Sequence, residues 1–207
     1  MAVAFVKVSG VNLLLPSIKK ATAKNSIIHI IAGQHFSLTE PKALYQLRNL
    51  FKTTAACKLY LAHADSKTAI FHPKIYLFKN GNAGVIISGS TNITQGGLAK
   101  NIECSLCVEC DTNDNIWKSA MNFVNDLFQP NNAEEATLLA IKRYESFYES
   151  QKKLHGMVKA TPDRKKNQLE FNYANLLKYF KTFNNKNREK LFEEKTIHYE
   201  EAKKILN

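Results

Sequence analysis

The chain has 207 residues, of which 44% are hydrophobic and 23% charged, a composition typical of a globular protein with one core of good size. No apolar run approaches the roughly 20 residues that a membrane-spanning helix needs. The N-terminal sequence MAVAFVKVSG also lacks the charged start and long apolar stretch of a signal peptide. We therefore expect a cytoplasmic protein with no membrane partner.

The net charge of +11 indicates a surface that binds nucleic acid, although a solubilising surface would give the same excess. The segment from Lys152 to Asn207 has 14 Lys and Arg against 7 Asp and Glu, whereas residues 1–151 have 15 against 11. More than half of the positive excess therefore lies in the C-terminal segment.

Helices and strands alternate along the first part of the chain. Periodicity and turn residues predict a helix from Asn12 to Asn25 with Pro16 in its first turn, a central strand from Ser26 to Ala32, a helix from Thr39 to Phe51, and a strand from Lys58 to Ala62. Thr39 is the predicted cap of the second helix. His29 lies inside an apolar strand and is predicted to be a hydrogen-bonded core histidine.

The stretch FHPKIYLFKNGNAGVIISGSTNITQGGL, residues 71–98, predicts a β-hairpin with its turn at Asn80-Gly81. His72 and Lys74 stand two residues apart at the start of the first strand, so they point to the same face. The second strand ends in the polar string SGSTN, which brings Ser90 and Asn92 to the same end of the hairpin. Lys, Ser and Asn bind phosphate oxygens, and His attacks phosphorus or transfers a proton. The hairpin end therefore predicts a phosphate site.

Each of these residues also has a simpler interpretation. A lone strand His is usually structural, a strand Lys is usually solvated, and Ser and Asn are favoured as caps of turns. Their combination at one sheet edge favours a functional role for His72 and Lys74, whereas Ser90 and Asn92 fit both roles at once. Thr94-Gln95 either reaches the same site or is only part of the loop.

Three of the four cysteines, Cys104, Cys107 and Cys110, have the spacing C-x2-C-x2-C, which can hold zinc or an iron–sulfur cluster. The sequence IECSLCVEC around them predicts a strand, on which Cys107 faces the side opposite to the other two. We therefore favour free thiols in a reducing compartment over a metal site, and we expect neither a metal nor a cofactor.

A strand from Asn101 to Cys110 is followed by a helix that Asp111 to Asp114 cap and that ends at Phe128. Beyond Pro130 the sequence predicts only helices: Ala133–Leu154, a linker over 156–167, and two basic amphipathic helices, Leu169–Phe183 and Arg188–Leu206. The predicted fold class is α/β, with a mixed β-sheet sandwiched between helices in residues 1–130 and an α-helical extension in residues 131–207. The ending EEAKKILN has no clear stop, so we expect a fragment of a longer protein.

The segments HPK at 72–74, GSTN at 89–92 and LAKNIE at 98–103 together resemble the signature of the phospholipase D superfamily, a His-x-Lys followed by Gly-Ser-x-Asn. The pattern is most similar to the nuclease branch, in which one signature per chain is completed by dimerisation. The commonest form has an Asp five residues after the Lys, where this chain has Lys79. Metal-independent, restriction-endonuclease-like members also lack that Asp and have a later Glu, here Glu103.

The resemblance, which spans roughly Leu13 to Phe128, implies four catalytic residues. His72 of one protomer attacks phosphorus, and the partner's His72 protonates the leaving oxygen. Lys74, Ser90 and Asn92 bind the phosphate oxygens. Glu103 accepts a hydrogen bond from His72 Nδ1–H; alternatively, it is an ordinary edge-strand carboxylate. The resemblance also implies that no metal is needed.

The sequence therefore predicts a phospholipase D-like endonuclease. It is expected to hydrolyse DNA without metal, through a phosphohistidine intermediate, as a homodimer with a shared active site. We expect it to act with further domains or subunits in a restriction or defence system. Two alternatives remain: a phospholipid hydrolase or transferase of the same fold, and an inactive nucleic-acid-binding module. The single signature disfavours the lipid enzyme, and the intact His72, Lys74 and Asn92 disfavour the inactive module.

Overall fold

The computed structural model describes residues 1–63 and 70–159. Within them, seven strands form one mixed sheet in the order β6-β5-β4-β1-β2-β3-β7. The strands are β1 (Ala2–Val3), β2 (Ile28–Ala32), β3 (Cys57–Ala62), β4 (Lys74–Asn80), β5 (Ala83–Gly89), β6 (Ser105–Asp111) and β7 (Ala133–Glu135). β1, β2 and β3 are parallel, and the other neighbouring pairs are antiparallel.

Helices cover both faces of this sheet. The α-helices of the described residues are α1 (Val8–Ala23), α2 (Pro41–Phe51), α3 (Asn115–Leu127) and α4 (Leu138–Lys159). One face packs against α1, α2 and α4, which bury Val11, Leu44 and Ile141 completely. The other face packs against α3 through Trp117 and Val124. The predicted α/β fold, with a mixed sheet sandwiched between helices, is confirmed.

The short strand β1 lies in the middle of the sheet, parallel to β2 and antiparallel to β4. Ala2 and Val3 are both fully buried, and Val3 pairs with Lys74 at the start of β4. Sequence patterns missed β1 because two residues are too few to show an alternation. Its position means that the chain leaving β1 passes directly beside the end of the hairpin.

Thr39 holds the chain that leaves β1. Its hydroxyl is completely buried and donates to the carbonyl of Gly33 at 2.6 Å, while it accepts the N–H of Val6 at 3.3 Å. The backbone N–H of Glu40 donates to Val6 O at 2.8 Å, and the Glu40 carboxylate accepts the Val8 N–H at 2.8 Å. The prediction of Thr39 as a helix cap was wrong, because Glu40 is the N-cap residue of α2 and the Thr39 hydroxyl serves the buried backbone instead.

Two predicted boundaries were wrong near Pro residues. The first helix begins at Val8 rather than Asn12, so Pro16 lies inside α1 and not in its first turn. After Pro130, Ala133–Glu135 forms an edge strand antiparallel to β3 instead of the first turn of a helix. Tertiary pairing with β3 therefore overrides a local pattern that fitted a helix.

His29 was also placed wrongly by sequence. It lies on β2 but points to an exposed position, where its ring makes edge contacts with the rings of Tyr60 and Phe128 at 6.4 and 6.0 Å between centroids. The strand residues on either side of His29 are buried, because successive side chains of a strand point to opposite faces of the sheet.

Residues 1–153 form one compact unit, so residues 131–153 of the predicted helical extension belong to the same unit as the sheet. The helix α4 continues to Lys159, into the first residues of the predicted linker. The rest of that linker and the helices predicted at Leu169–Phe183 and Arg188–Leu206 lie outside the described residues. Within the described part of the chain, no helix is both long and apolar enough to cross a membrane.

Replacing Thr39 by Val removes the hydrogen bonds of its hydroxyl while keeping the shape of the side chain. The Gly33 carbonyl and the Val6 N–H then lose a partner in a buried site, so we expect a loss of about 1–3 kcal/mol in the free energy of unfolding. Urea denaturation followed by circular dichroism measures this. The exposed Thr53→Val change is the control and should cost much less; equal losses in the two variants would contradict the role of Thr39.

Candidate active site

The hairpin brings the predicted site residues to one end, as its sequence indicated. Ile75 of β4 pairs with Ser88 of β5, so the residues that precede β4 lie beside those that follow β5. His72 and Lys74 come from the first group, and Ser90 and Asn92 from the second. The turn at the opposite end is formed by Gly81, which has a φ of 58° that favours glycine.

His72 and Lys74 are in direct contact. The Lys74 Nζ lies 2.7 Å from Nδ1 and 3.0 Å from Nε2 of His72, and it donates to the His72 carbonyl at 3.1 Å. Whichever ring nitrogen is unprotonated in the neutral imidazole can therefore accept from the ammonium. Lys74 is only 9% exposed, whereas His72 is exposed, so the lysine forms the floor of the site and the imidazole its accessible surface.

Burial and neighbouring charges shift the pKa of both groups. Partial burial, followed by the positive charge of Lys74, lowers the pKa of His72 below its ordinary value. Burial also lowers the pKa of Lys74, while the negative charge of Glu103 acts in the opposite direction. The lowered pKa therefore favours the neutral form of His72, which is the form that can attack an electrophile or accept a proton.

Phe5 orients Asn92 and was missed by the sequence analysis. Its backbone N–H donates to Asn92 Oδ1 at 3.0 Å. Because that donor fixes which end of the amide is oxygen, the Asn92 NH₂ group remains as a hydrogen-bond donor of this side chain. The Phe5 ring meets His72 edge-on at 5.5 Å between centroids, and Lys74 Nζ lies 6.0 Å from its centre. The apolar run AVAFV at residues 2–6 was the available signal.

Ser90 and Glu103 are joined to each other, not to His72. The Ser90 hydroxyl donates to Glu103 Oε2 and accepts the Cys104 N–H at 3.0 Å, and the Asn101 amide donates to Glu103 Oε1 at 3.1 Å. The hydrogen bonds from Ser90 and then Asn101 lower the pKa of Glu103. The expected bond from His72 to Glu103 is not present in the described residues.

Strand register explains this difference. Gly89 pairs with Ser105, so Glu103, which precedes β6, lies across from the residues that follow β5, and Ser90 is the first of them. A Cβ on Gly89 would lie 2.3 Å from the Cys104 carbonyl oxygen, so only glycine permits this close approach. The Ser90 hydroxyl is thus used to hold the two segments together, and this leaves Asn92 and Lys74 as the donors of the site.

An open cleft of about 390 Å³ is lined in part by Asn92 and Glu103. Phe5 and Leu38 give it apolar surface, and the remaining lining residues are polar or small: Lys7, Ser9, Thr94, Gln95, Gly96 and Asn101. The segment Thr94-Gln95, which the sequence left as either site or loop, therefore lies on the wall of this cleft. His72 and Lys74 are not among the lining residues, but Phe5 both lines the cleft and contacts the His72 ring, so the cleft adjoins the site.

Two of the three closely spaced cysteines lie on the edge strand of the sheet. Cys107 and Cys110 are three residues apart within β6 and so lie on opposite faces, and Cys104 precedes the strand. All four cysteines of the chain have free thiols. In the ranges 1–63 and 70–159, no group of three or more His, Cys, Asp or Glu side chains is placed to hold a metal ion.

Comparisons with known proteins give the family. The model of the family described as cardiolipin synthase, PLD-like domain, matches residues 3–124. Among solved structures, the chain is similar to NucT from Helicobacter pylori, with a TM-score of 0.45 and 12% sequence identity over 60% of this chain and 74% of that one. A search of curated proteins returned no match.

Replacing Lys74 by Met removes one of the two causes that lower the pKa of His72 but keeps an apolar side chain against the ring. We therefore expect the pKa of His72 to rise toward its ordinary value, so that the ring becomes protonated at a higher pH than in the wild type. An NMR titration of the His72 ring resonances measures this. Lys79→Met, at the exposed end of the same strand, is the charge-matched control; an unchanged or lower pKa in Lys74→Met would contradict the electrostatic coupling.

Proposed function

The chain belongs to the phospholipase D-like family, and on this premise we propose that it is a metal-independent endonuclease that hydrolyses DNA through a phosphohistidine. The resemblance to the phospholipase D superfamily noted in the sequence is confirmed, since the matched residues 3–124 contain both halves of the signature. At the level of the family, the enzyme is of the phosphodiesterase type.

The observation that carries the proposal is the contact between His72 and a nearly buried Lys74, with Phe5 contacting both the His72 ring and the Asn92 amide. A neutral imidazole at the surface is a nucleophile for phosphorus. The ammonium and the amide are donors for the phosphate oxygens, which become more negative in the transition state. These three groups supply the nucleophile and the donors that phosphodiester cleavage requires, and the proposed mechanism gives no role to a metal.

The reaction follows in two steps. A ring nitrogen of the neutral His72 forms a bond to phosphorus as the P–O bond to the leaving oxygen breaks, and the partner's His72, which starts the step protonated, gives that oxygen its proton. In the second step, the partner's His72 takes a proton from water, the water oxygen bonds to phosphorus, and the P–N bond breaks. Both imidazoles return to their starting state, and the products are an alcohol and a phosphate monoester.

In this proposal, the role of Glu103 differs from the one that the resemblance to the phospholipase D superfamily implied. It is bound to Ser90 and Asn101, and its negative charge raises the pKa of Lys74 against the effect of burial. Glu103 therefore favours the ammonium form of Lys74, which is the form that stabilises the phosphate. It acts as a positioning residue, through Lys74 and through the segment that carries Asn92.

The proposal includes a homodimer, because one chain has a single His-x-Lys motif and the reaction needs an acid opposite the nucleophile. A symmetric dimer is the commonest way to bring a surface against its own copy. Next to Glu103, the edge of the sheet carries two exposed apolar side chains, Ile102 at 105% and Leu106 at 68% exposure. Such a patch at a sheet edge is favourable for burial against a second copy.

The biological role in this proposal is DNA cleavage within a restriction or defence system. The positive net charge supports a polyanionic substrate, since Lys and Arg that neutralise phosphates give most of the affinity for nucleic acid. The family description also names cardiolipin synthase, so a phospholipid is the competing substrate for the same chemistry. The first experiment below therefore includes it.

Supercoiled plasmid incubated with the purified protein in EDTA should be nicked or cut, and His72→Ala should abolish the reaction. The nucleophile is lost in that variant, so we expect a fall of at least a thousandfold in rate, measured by gel electrophoresis. His63→Ala, a histidine bound to the Pro130 carbonyl, is the control and should stay active.

Strict dependence on Mg²⁺ would contradict the proposed mechanism. Hydrolysis of cardiolipin vesicles by the wild type, with no action on the plasmid, would contradict the proposed substrate and favour the lipid enzyme.

A dimer with a shared site makes His72→Ala a dominant inhibitor. An excess of this variant is mixed with wild type and the dimers are allowed to exchange subunits. Each heterodimer then lacks one of the two imidazoles, so activity should fall well below the level expected from dilution alone. Sedimentation equilibrium should give about twice the chain mass. Mixing with the control variant Thr53→Val, which keeps every residue of the site, should leave the activity per chain unchanged; a fully active monomer would refute the shared site.

A further inference from the structure

The chain leaving β1 runs alongside the motif and forms one wall of the cleft. Val6 and Ile93 make a parallel bridge, and the Lys7 N–H donates to the Ile93 carbonyl at 2.9 Å. Val6 is completely buried, so its neighbours Phe5 and Lys7 face the other way, where both line the cleft. Phe5 touches His72, and Lys7 follows two residues further along the same wall.

The extended backbone sets the spacing between these two side chains. Two residues of strand cover about 6.6 Å, so Lys7 lies roughly one such step from the ring that contacts His72. Lys7 is half-buried, and it makes no ion pair with any described residue. It is therefore a cation of the cleft wall without an internal counterion in this part of the chain, next to the reacting group but outside the His-x-Lys signature.

Ser9 stands beside Lys7 with its hydroxyl directed by the backbone. The N–H of Gln95 donates to Ser9 Oγ at 3.3 Å, which leaves the hydroxyl proton free to be donated to a ligand. Both residues line the cleft with Asn92. An ammonium and a hydroxyl on one wall form a second set of phosphate donors, separate from Lys74 and the Asn92 amide.

The carboxylate of Glu103 also lines the cleft, and its negative charge opposes the binding of an anion there. Both of its oxygens accept hydrogen bonds, one from Ser90 and one from Asn101, and its charge acts on Lys74. These bonds hold the carboxylate away from Lys7, since no ion pair joins the two among the described residues. The cleft thus has on its lining a carboxylate that accepts two hydrogen bonds and a lysine with no ion pair among the described residues.

We propose that Lys7 and Ser9 form a subsite for the phosphate that neighbours the scissile one in a nucleic-acid strand. This inference rests on the proposed function, and it adds a reason for a polymeric substrate: a strand offers a second phosphate along the cleft. The subsite holds the strand by charge and by one hydrogen bond, without contacting the reacting phosphorus. Its contribution is to substrate affinity rather than to the chemical step.

The first test compares two substrates. A single-stranded oligonucleotide has neighbouring phosphates, whereas bis(p-nitrophenyl) phosphate has only one. In Lys7→Gln, the ratio of kcat/KM for the oligonucleotide to kcat/KM for bis(p-nitrophenyl) phosphate should fall about tenfold, mainly through KM for the oligonucleotide, and Ser9→Ala should lower it by less. Lys118→Gln, an exposed lysine on α3, loses the same charge and is the matched control.

The second test does not depend on catalysis. In the His72→Ala background, fluorescence anisotropy should show that Lys7→Gln weakens oligonucleotide binding about tenfold, and that the slope of log Kd against log salt becomes shallower by about 0.7, the value for one phosphate contact on a single strand. Lys118→Gln should leave that slope nearly as it was.

The outcomes distinguish failure of the proposed subsite from failure of the proposed function. Equal losses on both substrates, or an unchanged salt slope in Lys7→Gln, would overturn the subsite. Failure of the wild type to cleave either substrate would instead overturn the proposed function, and the binding measurement would still decide whether Lys7 contacts a strand.

Discussion

The site depends on the position of Phe5, Val6 and Lys7, in the segment that follows β1. Phe5 donates its N–H to Asn92, Val6 pairs with Ile93 and binds the Thr39 hydroxyl, and Lys7 donates to Ile93. These contacts join the N-terminus to the second half of the signature, some 87 residues away in sequence. Because the Thr39 contacts are completely buried, the segment is held by hydrogen bonds that water does not replace. If the segment moved, the Asn92 amide would lose the donor that fixes its orientation.

The chemistry follows from where this scaffold places Lys74. The first residue of β4 is opposite Val3, in the middle of the sheet, so a lysine at that position is nearly buried and lies under the His72 ring. Burial alone would favour its neutral form, and the charge of Glu103 opposes that. The same burial strengthens the action of the ammonium on the imidazole because less water screens it. One position in the sheet thereby sets the protonation of two groups.

Close packing joins the other half of the site. Gly89 allows β5 to approach the segment before β6, and a Cβ on Gly97 would lie 2.6 Å from the Asn92 carbonyl oxygen, so the turn at Gly96–Lys100 also folds tightly over Asn92. Ser90 uses its hydroxyl within this junction. The hydroxyl of the signature therefore builds the site, while the amide and the ammonium remain for a ligand.

The sequence by itself determined the hairpin, the alternation of helices and strands, and the meeting of His72, Lys74 and Asn92, because strand periodicity and an Asn-Gly turn are local properties. Only the tertiary structure decided that Phe5 and Lys7 belong to the cleft, that Glu103 binds Ser90 rather than His72, and that residues 133–135 form a strand. Each of these depends on which distant segment lies alongside, and a two-residue strand or a side-chain partner leaves no periodic signal in the chain.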